Sequence, residues 1–181
     1  TEFEKAVYAE GMVHGLELMN GSAFYPRAFN TAKEHNLFMT SNTDIHATSL
    51  QQYRANGHLR NMTIIFAKEC TLESLREALE AHRTLCYSFG TIGGEQSLLK
   101  EFFEASVTTK KLSVDKKKKS QRVMITNTTS LPYTLRFGKG NPVVLRPLSS
   151  IIVNGKVGKP LKCTVLNMWC GQDEHPTLSL K

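Results

Sequence analysis

The sequence contains no apolar run approaching the roughly 18 residues that a membrane-crossing helix needs. Its first residues, Thr1-Glu2-Phe3-Glu4-Lys5, are polar and acidic, unlike a secretory leader. The four cysteines, Cys70, Cys86, Cys163 and Cys170, form no C-x-x-C pair, and a chain of 181 residues needs no disulfide staples to hold a core. They read as mostly buried thiols, which leaves the compartment open between cytoplasm and periplasm. Acidic residues are scarce in the second half. Residues 106–181 carry 3 Asp+Glu against 14 Lys+Arg, a net +11, whereas residues 1–105 carry 13 against 9, a net −4. Two different surfaces therefore meet near residue 105. Four of the cations form the single block Lys116–Lys119, which reads as a solvated hairpin tip. Aromatic interleaving of the base-stacking kind is absent, so nucleic acid is not an expected partner, and neither is a membrane. There is also no initiating methionine, and the chain opens in what reads as a helix already under way, Phe3 to Glu10. The expectation is a fragment of something longer.

What is present divides into two textures. Met12 to Met19 reads as a short buried strand ending in the turn signal Asn20-Gly21. Glu17 falls inside it, and a carboxylate in a buried strand must be paired, so a salt bridge or hydrogen bond is expected there. Pro26 begins a helix that runs to about Asn36, and a strand follows at 37–41, giving β-α-β in some thirty residues, the unit of a parallel sheet. Residues 47–61 lack periodicity and read as a loop. Next come a strand at Met62–Ala67, a capped helix from Thr71 to His82, and a short strand at Cys86–Phe89. Gly93-Gly94 reads as a turn, and Leu98, Leu99, Phe102 and Phe103 give one apolar helix face. From Ala105 onward, short strands at 107–114, 122–127, 133–137, 143–145, 150–153 and 161–169 alternate with turn residues, the pattern of a small β-sandwich of immunoglobulin-like type.

The chemistry-bearing stretch is Leu37-Phe38-Met39-Thr40-Ser41-Asn42-Thr43-Asp44-Ile45-His46. In an extended chain, side chains two apart point to one side, so Asp44 and His46 would converge on one point. A hard carboxylate oxygen with a neutral imidazole nitrogen suits zinc, iron or manganese. A polar cluster at the C-terminal end of a buried strand is also where β/α barrels place their chemistry.

Gly15-Leu16-Glu17-Leu18-Met19-Asn20-Gly21, Asn42-Thr43-Asp44-Ile45-His46 and Met62-Thr63-Ile64-Ile65-Phe66-Ala67-Lys68-Glu69, with Leu75-Arg76-Glu77-Ala78-Leu79, resemble the final third of a PHP (polymerase and histidinol phosphatase) domain. The resemblance covers residues 1–105. It implies the C-terminal part of a distorted, TIM-like β/α barrel, followed at 106–181 by a β-sandwich. The implied activity is hydrolysis of a phosphorylated small molecule by a metal-bound hydroxide. Asp44 and His46 would be metal ligands, and Glu17, Asn20 and Asn42 ligands or their supports. Arg60, at the loop-to-strand junction, would be a phosphate contact. The family's His-x-His motif and its further ligands have no counterpart here. The isolated chain is therefore expected to be inactive, with the missing barrel segment, or a second copy of the chain, as its partner. The alternative is a non-catalytic module whose basic sandwich binds an anionic partner.

Overall fold

In the computed structural model, residues 1–180 are described, Asn56 by its backbone alone. The chain divides into two units, Thr1–Leu98 with Trp169–Glu174, and Leu99–Met168 with His175–Lys181.

The first unit starts with helix α1 (Glu2–Ala9) and strand β1 (Gly15–Asn20), which turns into the two-residue strand β2 (Ala23–Phe24). Helix α2 (Ala28–His35) follows, burying Phe29 and Ala32 one turn apart, and ends where Asn36 takes a left-handed conformation at φ 54°. Strand β3 (Phe38–Asn42) then lies parallel to β1. The register slips between Glu17 and Met19, so Leu18 bulges and both Leu18 and Met19 are buried. The same slip leaves Glu17 exposed, not enclosed as the strand pattern suggested. Phe29, Ala32, Leu37, Met39 and Cys86 join Leu18 and Met19 in one core cluster, with Tyr8 and Trp169 packed against it.

Residues 47–61, read as loop, contain a short helix α3 (Ser49–Gln52) and a 3-10 turn at Arg54–Asn56. Beyond them lie β4 (Met62–Ile65), helix α4 (Leu72–Glu80), β5 (Thr84–Ser88) and β6 (Thr91–Gly94). Thr71 caps α4 by accepting from the Ser74 N–H at 3.2 Å. Gly93 and Gly94 are strand residues, not a turn, and pair with Cys86 and Leu85. Their lack of a side chain serves close approach: a Cβ on Gly94 would come within 2.3 Å of Leu85, and one on Gly93 within 2.5 Å of Leu18.

The expected partial barrel is not formed. A β/α barrel needs successive parallel strands, whereas β4 pairs antiparallel with β5, and β5 antiparallel with β6. β1 and β3 do run parallel, but they belong to a sheet separate from β4-β5-β6. The α/β reading of residues 1–105 thus gives way to small separate sheets in a largely β chain. Side-chain hydroxyls, not a ladder, join β3 to β4 and β5. Thr63 Oγ1 accepts from the Ser41 N–H at 2.9 Å and donates to the Ser41 carbonyl at 3.1 Å. Ser41 Oγ donates to Tyr87 O, and Thr84 Oγ1 to Met39 O.

Helix α5 (Gln96–Ser106) leads into the second unit. Its strands are β7 (Val107–Asp115), β8 (Ser120–Asn127), β9 (Tyr133–Arg136), β10 (Val143–Leu145), β11 (Ser150–Lys156), β12 (Leu161–Val165) and β14 (Thr177–Leu180), whereas the two-residue β13 (Met168–Trp169) falls at the boundary between the units in the chain. Two antiparallel sheets result, ordered β11-β8-β7 and β10-β9-β12-β14, which fits a β-sandwich. Along β8 the residues Gln121, Val123, Ile125 and Asn127 are buried at period two. Asn127 secures the corner after β8, donating to the carbonyls of Leu131 and Arg146 while its Oδ1 accepts from the Thr129 N–H.

Candidate functional site

The C-terminal ends of the parallel pair β1 and β3 carry the polar residues singled out from the sequence. Register places Asn20 beside Asn42, and Glu17 beside Thr40. Glu17 accepts from Asn42 Nδ2 at 2.6 Å through Oε1 and from Asn20 Nδ2 at 2.9 Å through Oε2. Asn42 Nδ2 also lies 3.1 Å from Thr40 Oγ1. The three residues therefore form one exposed hydrogen-bonded group, held by the sheet beneath it.

Beyond β3 the chain is no longer extended, since Asp44 sits at φ 46°. The strand argument for Asp44 and His46 fails in its detail, yet the turn brings the same two groups together, with His46 Nε2 3.5 Å from Asp44 Oδ1. Their side chains are 63% and 88% exposed, so the pair contributes little to stability and stays open to ligand. Arg60 is exposed as well and lines an open groove of about 770 Å³ together with Asn42, Thr43, Asp44 and Met62.

Sequence reasoning missed what holds this end in place. Asn61, only 3% exposed, donates through Nδ2 to Gly21 O at 2.6 Å and to Asn42 O at 3.0 Å, tying the exits of β1 and β3 together. Buried Ser88 lies 2.8 Å from the same Gly21 carbonyl and 3.0 Å from Asn61 Oδ1. Tyr53, fully buried beneath the segment after β3, directs its hydroxyl at Thr43 O at 3.5 Å. A lone Asn ahead of a strand has no periodic signature. The one pattern it belongs to, the glycosylation triplet Asn61-Met62-Thr63, points to an exposed acceptor, whereas Asn61 is buried in the folded chain.

Asp44 and His46 have the donor chemistry of a zinc, iron or manganese site. Among the described residues, however, no group of three or more His, Cys, Asp or Glu could hold a metal ion. Glu17 is already occupied by two amide donors. Among the described residues, Asp44 and His46 are thus a pair of donors and not a three-ligand group.

No protein-family model and no curated protein matches the sequence. Among solved structures the chain is similar to a protein from Bacteroides vulgatus, described as a two-domain protein containing a predicted PHP-like metal-dependent phosphoesterase. The likeness has a TM-score of 0.89 at 28% identity and covers 97% of this chain. The chain spans 55% of that protein's length.

Proposed function

We propose that this chain is part of a metal-dependent phosphoesterase of the PHP type, to which it contributes Asp44 and His46 as metal ligands and Arg60 as a phosphate contact. The observation that carries the reading is the likeness to the B. vulgatus protein over 97% of the chain. The approach of Asp44 and His46 beside a groove containing Arg60 supports it. The metal is zinc, iron or manganese, and the substrate is a small phosphate ester. The remaining ligands come from other segments of a longer protein, which is the partner this chain needs. Glu17, Asn20 and Asn42 act as supports, with the carboxylate orienting both amides next to the metal-binding turn.

The test is hydrolysis of p-nitrophenyl phosphate and its diester by the longest native polypeptide that contains this sequence. Asp44→Ala and His46→Ala should each abolish turnover while leaving the circular dichroism unchanged, because both side chains are exposed. Turnover retained in both variants would overturn the assignment.

A further inference from the structure

The lysine block does not stand alone. Antiparallel pairing of β11 with β8 sets Lys156 against Ser120, and the Val157 N–H donates to Lys119 O at 3.1 Å, so the turn after β11 lies beside the turn after β7. The Asp115 carboxylate accepts from the Lys118 N–H, and Lys119 takes a positive φ of 49°, which together fold the block into a tight turn. One end of the second unit thus gathers Lys116, Lys117, Lys118, Lys119, Lys156 and Lys159, all exposed, around the single acid Asp115.

The field there is uncompensated. Residues 107–168 contain 13 Lys+Arg and one acid, and among the described residues none of these cations is in a salt bridge. Apolar side chains share this end: Val114, one residue before Asp115, is 43% exposed, and Val157, between the lysines of the second turn, 41%. A single-stranded polyanion is usually held in a basic groove with aromatic platforms. Here the exposed lysines of two neighbouring turns lie close in the chain to the exposed Val114 and Val157, and no aromatic lies among residues 114–119 or 156–159. Cations at headgroup level with short apolar side chains between them match an anionic bilayer surface.

We infer that the paired turns 115–120 and 156–159 form a docking surface for an anionic lipid bilayer. Expectations about membrane contact drawn from hydropathy address spanning helices. No helix among the described residues is long and apolar enough to cross a membrane, and surface docking needs none.

The experiment is co-sedimentation of the chain with phosphatidylcholine vesicles containing phosphatidylglycerol, alongside pure phosphatidylcholine vesicles and free duplex DNA. Binding should require the anionic lipid and fall at least about tenfold between roughly 0.05 and 0.5 M salt, as the Debye length contracts. Replacing Lys116–Lys119 with Gln should lower the partition coefficient by about three orders of magnitude. Lys156→Gln with Lys159→Gln, in the other turn, should lower it about tenfold or more. Val157→Ser, which leaves the charge unchanged, should weaken vesicle binding severalfold and leave DNA binding alone. Circular dichroism of each variant checks that the exposed turns were changed without unfolding. Absence of vesicle binding at low salt would overturn the inference. So would vesicle binding indifferent to Val157→Ser, or DNA bound more tightly than vesicles, because the surface would then be a general polyanion site. Asp44 and His46 take no part in any of these measurements, so failure here leaves the phosphoesterase reading untouched.

Discussion

Removing the Asn61 side chain separates its structural role from the exposed chemistry above it. In Asn61→Ala three contacts disappear, the Nδ2 donations to Gly21 O and Asn42 O and the acceptance by Oδ1 of the Ser88 hydroxyl, whose single proton is shared with Gly21 O, but neither carbonyl is orphaned. Ser88 Oγ still reaches Gly21 O, and the Gly21 N–H still donates to Asn42 O. The loss is therefore two net hydrogen bonds at about 1 kcal/mol each, plus a small cavity, or about 2–3 kcal/mol in all. Asn61→Asp is the sharper variant, because it turns an oxygen toward two carbonyls that had faced an N–H donor. A carboxylate buried there is disfavoured, so its folded-state pKa lies above the unfolded value of about 3.9. The protonated acid retains a donor. The variant's deficit should thus be smallest below about pH 3.9 and grow as the pH rises through the raised folded-state pKa. At pH 7 it should reach about 3–5 kcal/mol, the usual size for an uncompensated buried charge. Urea titration followed by fluorescence of Trp169, the single tryptophan, which packs edge-on against Phe24, reports the unfolding of the first unit. Asn61→Ala within about 0.5 kcal/mol of wild type, the range of an ordinary surface substitution, would refute the clamp. An Asn61→Asp deficit that does not vary with pH would refute it equally.

Three further outcomes follow from the packing. Gly93→Ala should cost about 1–3 kcal/mol by overpacking, since its Cβ would press on Leu18 Cδ2; stability unchanged in the urea titration would contradict the close approach. Burial pushes the Cys86 and Cys163 thiols up to about 12, while Cys70 is exposed, so a maleimide at neutral pH should label Cys70 rapidly and the other two only on unfolding. The Arg83 guanidinium hydrogen-bonded to Glu77 holds that carboxyl below its ordinary value. The pair's stabilisation is therefore present above the unfolded glutamate pKa and lost as pH falls through the lowered one. Arg83→Gln should return Glu77 to the ordinary range in an NMR titration.

Much of this fold can be read from local pattern. The β1-α2-β3 unit follows from apolar spacing, with Pro26 and Asn36 flanking its helix, and the β7–β8 hairpin follows from alternation on either side of four lysines. Pairing direction is less legible. Nothing in Met62–Ile65 or Thr84–Ser88 says that they run antiparallel despite the helix between them, and that one fact removes the barrel. The two glycines of β6 misled because glycine marks both a turn and a tight approach, and only the position of Leu18 and Leu85 distinguishes them. Glu17 reads as enclosed because it falls inside an apolar run, which does not reveal the bulge at Leu18. At the site, Asp44 and His46 were visible as a spaced pair of ligand types. Asn61, Ser88 and Tyr53 were not, since each acts through backbone carbonyls brought close by folding.

The most direct test of the central claim is metal stoichiometry, by inductively coupled plasma mass spectrometry, of the longest native polypeptide containing this sequence, with Asp44→Ala and His46→Ala in parallel. The account predicts bound zinc, iron or manganese in the wild type and loss of metal in both variants, with their stability unchanged. Full metal occupancy in both variants, or a wild-type protein that takes up none of the three metals when they are supplied, would contradict it.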